Sequence, residues 1–275
     1  MGFVVLAMKR SQVLASGLIV RQDFSDAVRA IFFQTEYEEF PYATDGGTLF
    51  VINFRGRRYG LTCKHAFGTF DPRQIFITQD KLGVRGTKPA PIKGRYFPSA
   101  PIDEAVETDV VDLCAIDFED DISSDFFGGA PYIIDEGTVG TSKLGHRLLV
   151  AGALKAKSEI MAPDITIGYC NLEFRDSGAS TFDPFLRQAI AQFRRPEFDS
   201  VTGISGSPVF DQTANVLCGM VARGTMAEDR CTIYYIDIAD IVRFLEGINA
   251  GAASIYYTKF VERRVSLSSG ISGDA

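Results

Sequence analysis

The chain predicts an all-β fold, sandwich or barrel, on three observations. Short runs rich in β-branched and aromatic residues recur along most of its 275 residues, and polar turns separate them. Its 26 Gly and 11 Pro supply many turns, and a 46% hydrophobic composition is ample for a large core. No internal repeat of fixed period is seen.

Taken in order, residues 23–34 (DFSDAVRAIFFQ) carry an Asp or Ser cap followed by Ala27, Val28, Ile31 and Phe32 at helical spacing, which predicts a short N-terminal helix within an extension spanning 1–45. From Thr48 the pattern changes. TLFVINF and YGLTC flank the polar turn RGRR and read as a hairpin that delivers His65 just past a strand end. Strands are also expected at 74–79 and 112–118, completing a first β unit at 46–118. The acidic, glycine-containing stretch 119–137 is the expected linker. Strands at 138–144, 147–154, 165–174, 185–193, 207–211, 215–223 and 232–238 then build a second unit, 138–236. IADIVRFLEGI puts Ile241, Phe244 and Leu245 on one helical face with Gly251 beyond its end, so a C-terminal helix is expected within 237–250. The tail, 251–275, has no periodicity and is expected to be partly disordered.

Composition removes several functions. A net charge of −7 and a pI near 5.0 offer no field to draw in a phosphate backbone, so no nucleic-acid partner is expected. The five cysteines, Cys63, Cys114, Cys170, Cys218 and Cys231, are odd in number and form no C-x-x-C pair, which disfavours zinc and a full disulfide framework. Lys9 and Arg10 interrupt the apolar start, and Leu6 stands where a myristoylation motif wants Ser or Thr. A reducing, cytoplasmic setting with no membrane partner is the expectation.

The chemistry is concentrated in three places. Serine at its ordinary pKa is a poor nucleophile, so it needs an imidazole to take its proton and a carboxylate to orient that imidazole. The chain has two histidines, His65 and His146. His146 begins a strand-like run and suits a structural role, whereas His65 lies between hairpin and loop. Asp112 directly precedes a mostly apolar strand; Asp109 is the runner-up, and Asp117, in mid-strand, is expected to face solvent. Ser205 stands in GISGSPVF (203–210), where glycines at 203 and 206 let the backbone turn so that the Gly203 and Ser205 amides aim at one spot, an oxyanion hole. The letters GISG recur at 270–273, but without a following strand. An α/β-hydrolase elbow is excluded because residue 207 is Ser, not Gly.

These motifs, Thr62-Cys63-Lys64-His65, Asp112-Leu113-Cys114-Ala115-Ile116 and GISGSPVF, in this order, resemble those of the chymotrypsin/trypsin-like serine peptidases over residues 46–248. The resemblance is to a bacterial-type, intracellular member without the secreted members' disulfides. It implies two packed six-stranded-type antiparallel β-barrels and a serine endopeptidase in which Ser205 attacks, His65 shuttles the proton and Asp112 orients His65, with no metal or organic cofactor. It also implies that Asp199, six residues before Ser205, floors a pocket for Arg or Lys, and that Ala222, Arg223 and Gly224 bind the substrate backbone as an added strand. Val201 stands where secreted relatives have a disulfide cysteine, and Arg223 could neutralise Asp199 or narrow the cleft. Ile204 replaces the aspartate that binds a newly cut amino terminus in zymogen-activated relatives. The partner expected is a protein or peptide substrate, with a regulatory protein or the 119–137 loop as possible control. The alternative is a catalytically idle protease fold used as a binding or scaffold module.

Overall fold

The structure, a computed structural model, describes residues 24–36, 42–44, 47–67, 70, 74–81, 89–98, 112–118, 130–161, 164–183, 185–192, 200–227, 229–251 and 254–257. Two β units, antiparallel except for one parallel strand pair in the first, are followed by a single α-helix among the described residues.

The first unit opens with a 3-10 turn, Phe24–Ala27, and strand β1, Val28–Gln34. Here the expected N-terminal helix is corrected to a strand. Every residue from Val28 to Phe33 is buried, so the run has no polar face to give either period, and its β-branched and aromatic content decides for strand. The strand also carries Arg29, fully buried, whose guanidinium donates to the carbonyls of Asp26 (2.6 Å) and Gln79 (3.2 Å). Burial pulls its pKa down to about 10, against the opposing pull of Asp80 and Asp26.

The unit continues with β2 (Tyr42–Ala43), β3 (Thr48–Phe54), β4 (Arg57–Cys63), β5 (Ile75–Thr78), β6 (Pro89–Phe97), β7 (Leu113–Phe118) and β8 (Tyr132–Ile134). Its order is β2-β1-β5-β6-β7-β4-β3-β8, and an extra β1–β3 pairing bends the sheet back on itself into a barrel-like form. Strand β6 was not legible as one because of Pro89 and Pro91. Both lie where β6 pairs with β5, ahead of Ile92, where pairing with β7 begins, so neither interrupts two ladders at once.

The second unit comprises β9 (Arg147–Met161), β10 (Asp164–Ala179), β11 (Leu186–Gln192), β12 (Pro208–Asp211), β13 (Val216–Met226) and β14 (Arg230–Asp237). They close into a barrel, β10-β11-β14-β13-β12-β9. The stretch 138–144, expected as a strand, makes a single bridge, Val139 to Leu217. Inside, Asp176 accepts both Arg187 Nη2 bonds (2.9 and 2.8 Å) and the Tyr235 hydroxyl (2.5 Å). This pairing satisfies a carboxylate that is buried from solvent.

Helix α1, Ile238–Asn249, is capped by Asp237, whose side chain accepts the Ala239 N–H at 2.9 Å. It buries Ile238, Ile241, Leu245 and Ile248. Its far end reaches the first unit, where the Tyr59 hydroxyl donates to Asn249 (2.8 Å) and Arg55 pairs with Glu246 (2.6 Å). A last strand, β15 (Ser254–Tyr257), adds to β6 through Phe97 to Gly94. The rest of the tail lies outside the described residues.

Candidate active site

The β4–β7 register sets Cys63 opposite Leu113 in an antiparallel pair. His65, two residues past one strand, and Asp112, one before the other, are therefore carried to the same end of the sheet. His65 sits in a 3-10 turn, Lys64–Phe67. Asp112 holds it twice: Oδ1 accepts the His65 backbone N–H at 2.9 Å, and Oδ2 lies 2.5 Å from ring Nδ1. Asp112 faces Nδ1, and Nε2 is the ring's other proton-exchanging atom. Asp117 is elsewhere, bound by the Tyr96 hydroxyl (3.1 Å) and near Arg57 (3.6 Å). Asp109 lies outside the described residues.

Ser205 comes from the second unit, in a loop fixed through its carbonyls. Val201 O accepts from Ile204 N (3.1 Å), Thr202 O from Lys155 N (2.8 Å), Ile204 O from Ser207 N (3.0 Å) and Ser205 O from Thr48 N (3.0 Å). Gly203 O accepts the Thr48 hydroxyl at 2.8 Å. Among the described residues, neither the Gly203 nor the Ser205 amide donates to a protein group. The turn needs its glycines: Gly203 and Gly206 have φ of +101° and +86°. A Cβ on Gly206 would lie 1.9 Å from Thr48 O, so loop and first unit touch backbone to backbone.

Thr48 and Thr62 are the contributors that sequence reasoning missed. Thr48 Oγ1 also accepts the Ala153 N–H (2.9 Å), and Thr62 Oγ1 donates to Thr48 O (2.6 Å). The available signal was modest: a threonine opening one strand and another three residues before His65.

A cleft of about 570 Å³ lies at this seam, and His65, Gly203, Ser205, Arg223 and Gly224 all line it. Phe33 and Phe70, stacked with ring centroids 3.9 Å apart, give it an aromatic lining, and Met226 lines it too. Ala222, expected to bind substrate, is buried and is not among the residues that line the cleft. Asp199 lies outside the described residues, while its neighbours Ser200, Val201 and Thr202 line the cleft. Ile204 is buried and apolar, and so offers no carboxylate.

Cys63 Sγ, a His65 ring nitrogen and an Asp112 oxygen lie within 4.8 Å of one another, a spacing that could hold a cation. The chemistry runs against it. Burial first, and then the Asp112 charge, push the Cys63 thiol well up, so the thiolate that a metal needs is disfavoured, and the thiol donates instead to Val221 O (3.2 Å).

The other histidine is also paired. His146 Nδ1 lies 2.7 Å from Oδ2 of Asp211, whose Oδ1 accepts the N–H groups of Thr213 and Ala214. Burial would raise the Asp211 pKa, but the Ala214 N–H, His146 and further hydrogen bonds outweigh it and hold the carboxylate below its usual range. This pair ties down the start of β9, the structural role expected of it.

No protein-family profile matches the sequence, and no curated protein is detectably similar to it. Solved structures are similar in fold. An atomic-resolution structure of HBP aligns over 84% of this chain and 93% of its own, with TM-score 0.54 and 12% identity. Human heparin binding protein aligns over 82% and 92%, with TM-score 0.52 and 14% identity. A mutant of the same human protein aligns over 80% and 90%, with TM-score 0.51 and 12% identity. A closed six-stranded barrel beside a second, barrel-like sheet, with a C-terminal helix, matches the chymotrypsin-like fold, and this chain has it.

Proposed function

We propose that the chain is a serine endopeptidase working through Ser205, His65 and Asp112. The observation that carries the reading is the double grip of Asp112 on His65 at the mouth of a cleft that Ser205 also lines. In this mechanism His65 Nε2 takes the Ser205 proton as Oγ attacks the scissile carbonyl, and returns it to the leaving amine. The N–H groups of Gly203 and Ser205 stabilise the oxyanion. Water then enters and the same proton path releases the acyl group. Asp199 selects Arg or Lys before the cut bond, a reading supported by Ser200 to Thr202 lining the cleft. Ile204 makes activation by a newly cut amino terminus inapplicable. Five free, buried thiols support a reducing, cytoplasmic setting.

The rival is an idle fold that binds without cutting. The structural relatives are named for heparin, a polyanion, whereas a net charge of −7 gives this chain no general attraction for one. A retained Ser, His and Asp also favours the enzyme. A fluorophosphonate probe should label the wild type and not Ser205→Ala; absence of labelling in both would turn the assignment to the binding module.

A further inference from the structure

We propose that Ile204 is a positioning residue: with Val201 it clasps the backbone of β13 and so holds the Gly203 and Ser205 N–H groups where an oxyanion would form. The proposal rests on the peptidase reading and names what sets up the oxyanion site in it, namely an apolar contact completed by folding alone.

Residues 201–207 make two successive turns that share Ile204. Its N–H donates to Val201 O (3.1 Å), and its carbonyl accepts from Ser207 N (3.0 Å). A planar trans peptide points its N–H opposite to its C=O, so each anchored carbonyl aims the amide that follows it. Thr202 O, held by Lys155 N (2.8 Å), thus turns the Gly203 N–H away from β9, and Ile204 O, held by Ser207 N, turns the Ser205 N–H away from the second turn. These are the two amides with no protein acceptor among the described residues.

Two side chains bolt the turns down. Ile204 and Val201 are 1% and 4% exposed, and they join the apolar core of the second barrel with Leu154, Val209 and Val221. Both press on Gly224. A Cβ built there would stand 2.9 Å from Val201 Cγ2 and 3.3 Å from Ile204 Cγ2, inside the separation of about 3.5–4.0 Å at which carbon atoms pack. The glycine therefore permits an approach that any side chain would block. Gly224 is itself fixed by pairing with Ile233 of β14, and both clasping residues are β-branched, with few rotamers through which to slip. Ile204 is bonded directly to the Ser205 amide, so movement of its side chain moves that donor.

The test measures fluorophosphonate labelling of the full chain across probe concentrations, which separates the maximal rate from the half-saturating concentration. In Ile204→Ala we expect the maximal rate to fall about 100-fold, as misplacing one oxyanion donor gives, with half-saturation within about 2-fold of wild type. Ile204→Val keeps Cγ2 against Gly224 and should recover the rate to within about 3-fold. Val201→Ala should slow labelling about 10-fold, and it decides the matter if Ile204→Ala does not fold. Leu148→Ala, which opens a cavity in the same core at the start of β9, should lower Tm as much as Ile204→Ala yet label at the wild-type rate. Hydrogen exchange gives a readout without activity: the Ile204 and Ser207 amides should exchange at least about 10-fold faster in Ile204→Ala, with the β3–β4 amides unchanged. A wild-type maximal rate in Ile204→Ala, equal slowing in Leu148→Ala, or unchanged exchange overturns the proposal. If wild type takes no label the peptidase reading fails, while exchange still decides whether Ile204 holds the loop.

Discussion

Replacing Gly206 by alanine tests the join between the Ser205 loop and the first barrel. The new Cβ would stand 1.9 Å from Thr48 O and 2.5 Å from Thr62 Oγ1. A carbon–oxygen contact needs about 3.3 Å, so loop and strand must part by about 1.4 Å. Two hydrogen bonds span that gap or lie beside it, Thr48 N to Ser205 O and Gly206 N to Val221 O, each contributing about 1 kcal/mol net. Holding alanine at φ +86° costs about 1–2 kcal/mol more. A loss of about 3–4 kcal/mol follows, or a Tm lower by roughly 6–15 °C for a chain of this size. Displacing a reacting group by 1 Å costs about 100-fold in rate, so fluorophosphonate labelling should slow at least that much. Gly145 supplies the control, with φ +83° and nothing within 4 Å of its built Cβ. Gly145→Ala should lose only the conformational part and label normally. Gly206→Ala with wild-type labelling and a Tm within about 2 °C would refute the argument.

Asp112→Asn should lower kcat/KM by about 10⁴ with the fold intact, as in the well-studied peptidases with this triad, because Asn must turn its NH₂ toward either the ring Nδ1 or the His65 N–H, where Asp112 accepts both. Peptide turnover beside circular dichroism checks this. Arg187→Ala should destabilise by about 3 kcal/mol by leaving the buried Asp176 carboxylate with no cation, only the Tyr235 hydroxyl and the Gly178 N–H, and Tyr235→Phe by about 1, both read by urea unfolding. The Asp211 carboxylate has a folded pKa below its unfolded value, so its stabilisation is present at neutral pH and lost as pH falls through the folded pKa. Asp211→Asn should therefore be less stable at pH 7 and lose less stability than wild type as pH falls below about 4.

What was legible in the sequence was whatever local chemistry dictates. The helix from Ile238 carries its own period and terminal glycine, and the strands flanking RGRR carry their own turn. His65, Asp112 and Ser205 could be singled out because few residues of each type sit beside a strand end with the right neighbours. Val28 to Phe33 misled because a strand buried on both faces has no alternation to read. Strand β15 was invisible for a different reason: it is held by backbone pairing to β6, which places little demand on side-chain pattern. Thr48 was illegible as part of the site because its contacts lie 105 residues away at Ala153 and 155 away at Gly203. Those separations are created by topology and leave no mark on neighbouring letters.

The four hydrogen bonds converging on Thr48 make the two halves of the molecule interdependent. The Ser205 loop leans on a residue made early in the chain, so a separately produced C-terminal half would lack the surface that shapes it. For the peptidase proposed above, competence for chemistry would then arise only once both halves have met, keeping a partly synthesised or partly unfolded molecule from cutting its surroundings.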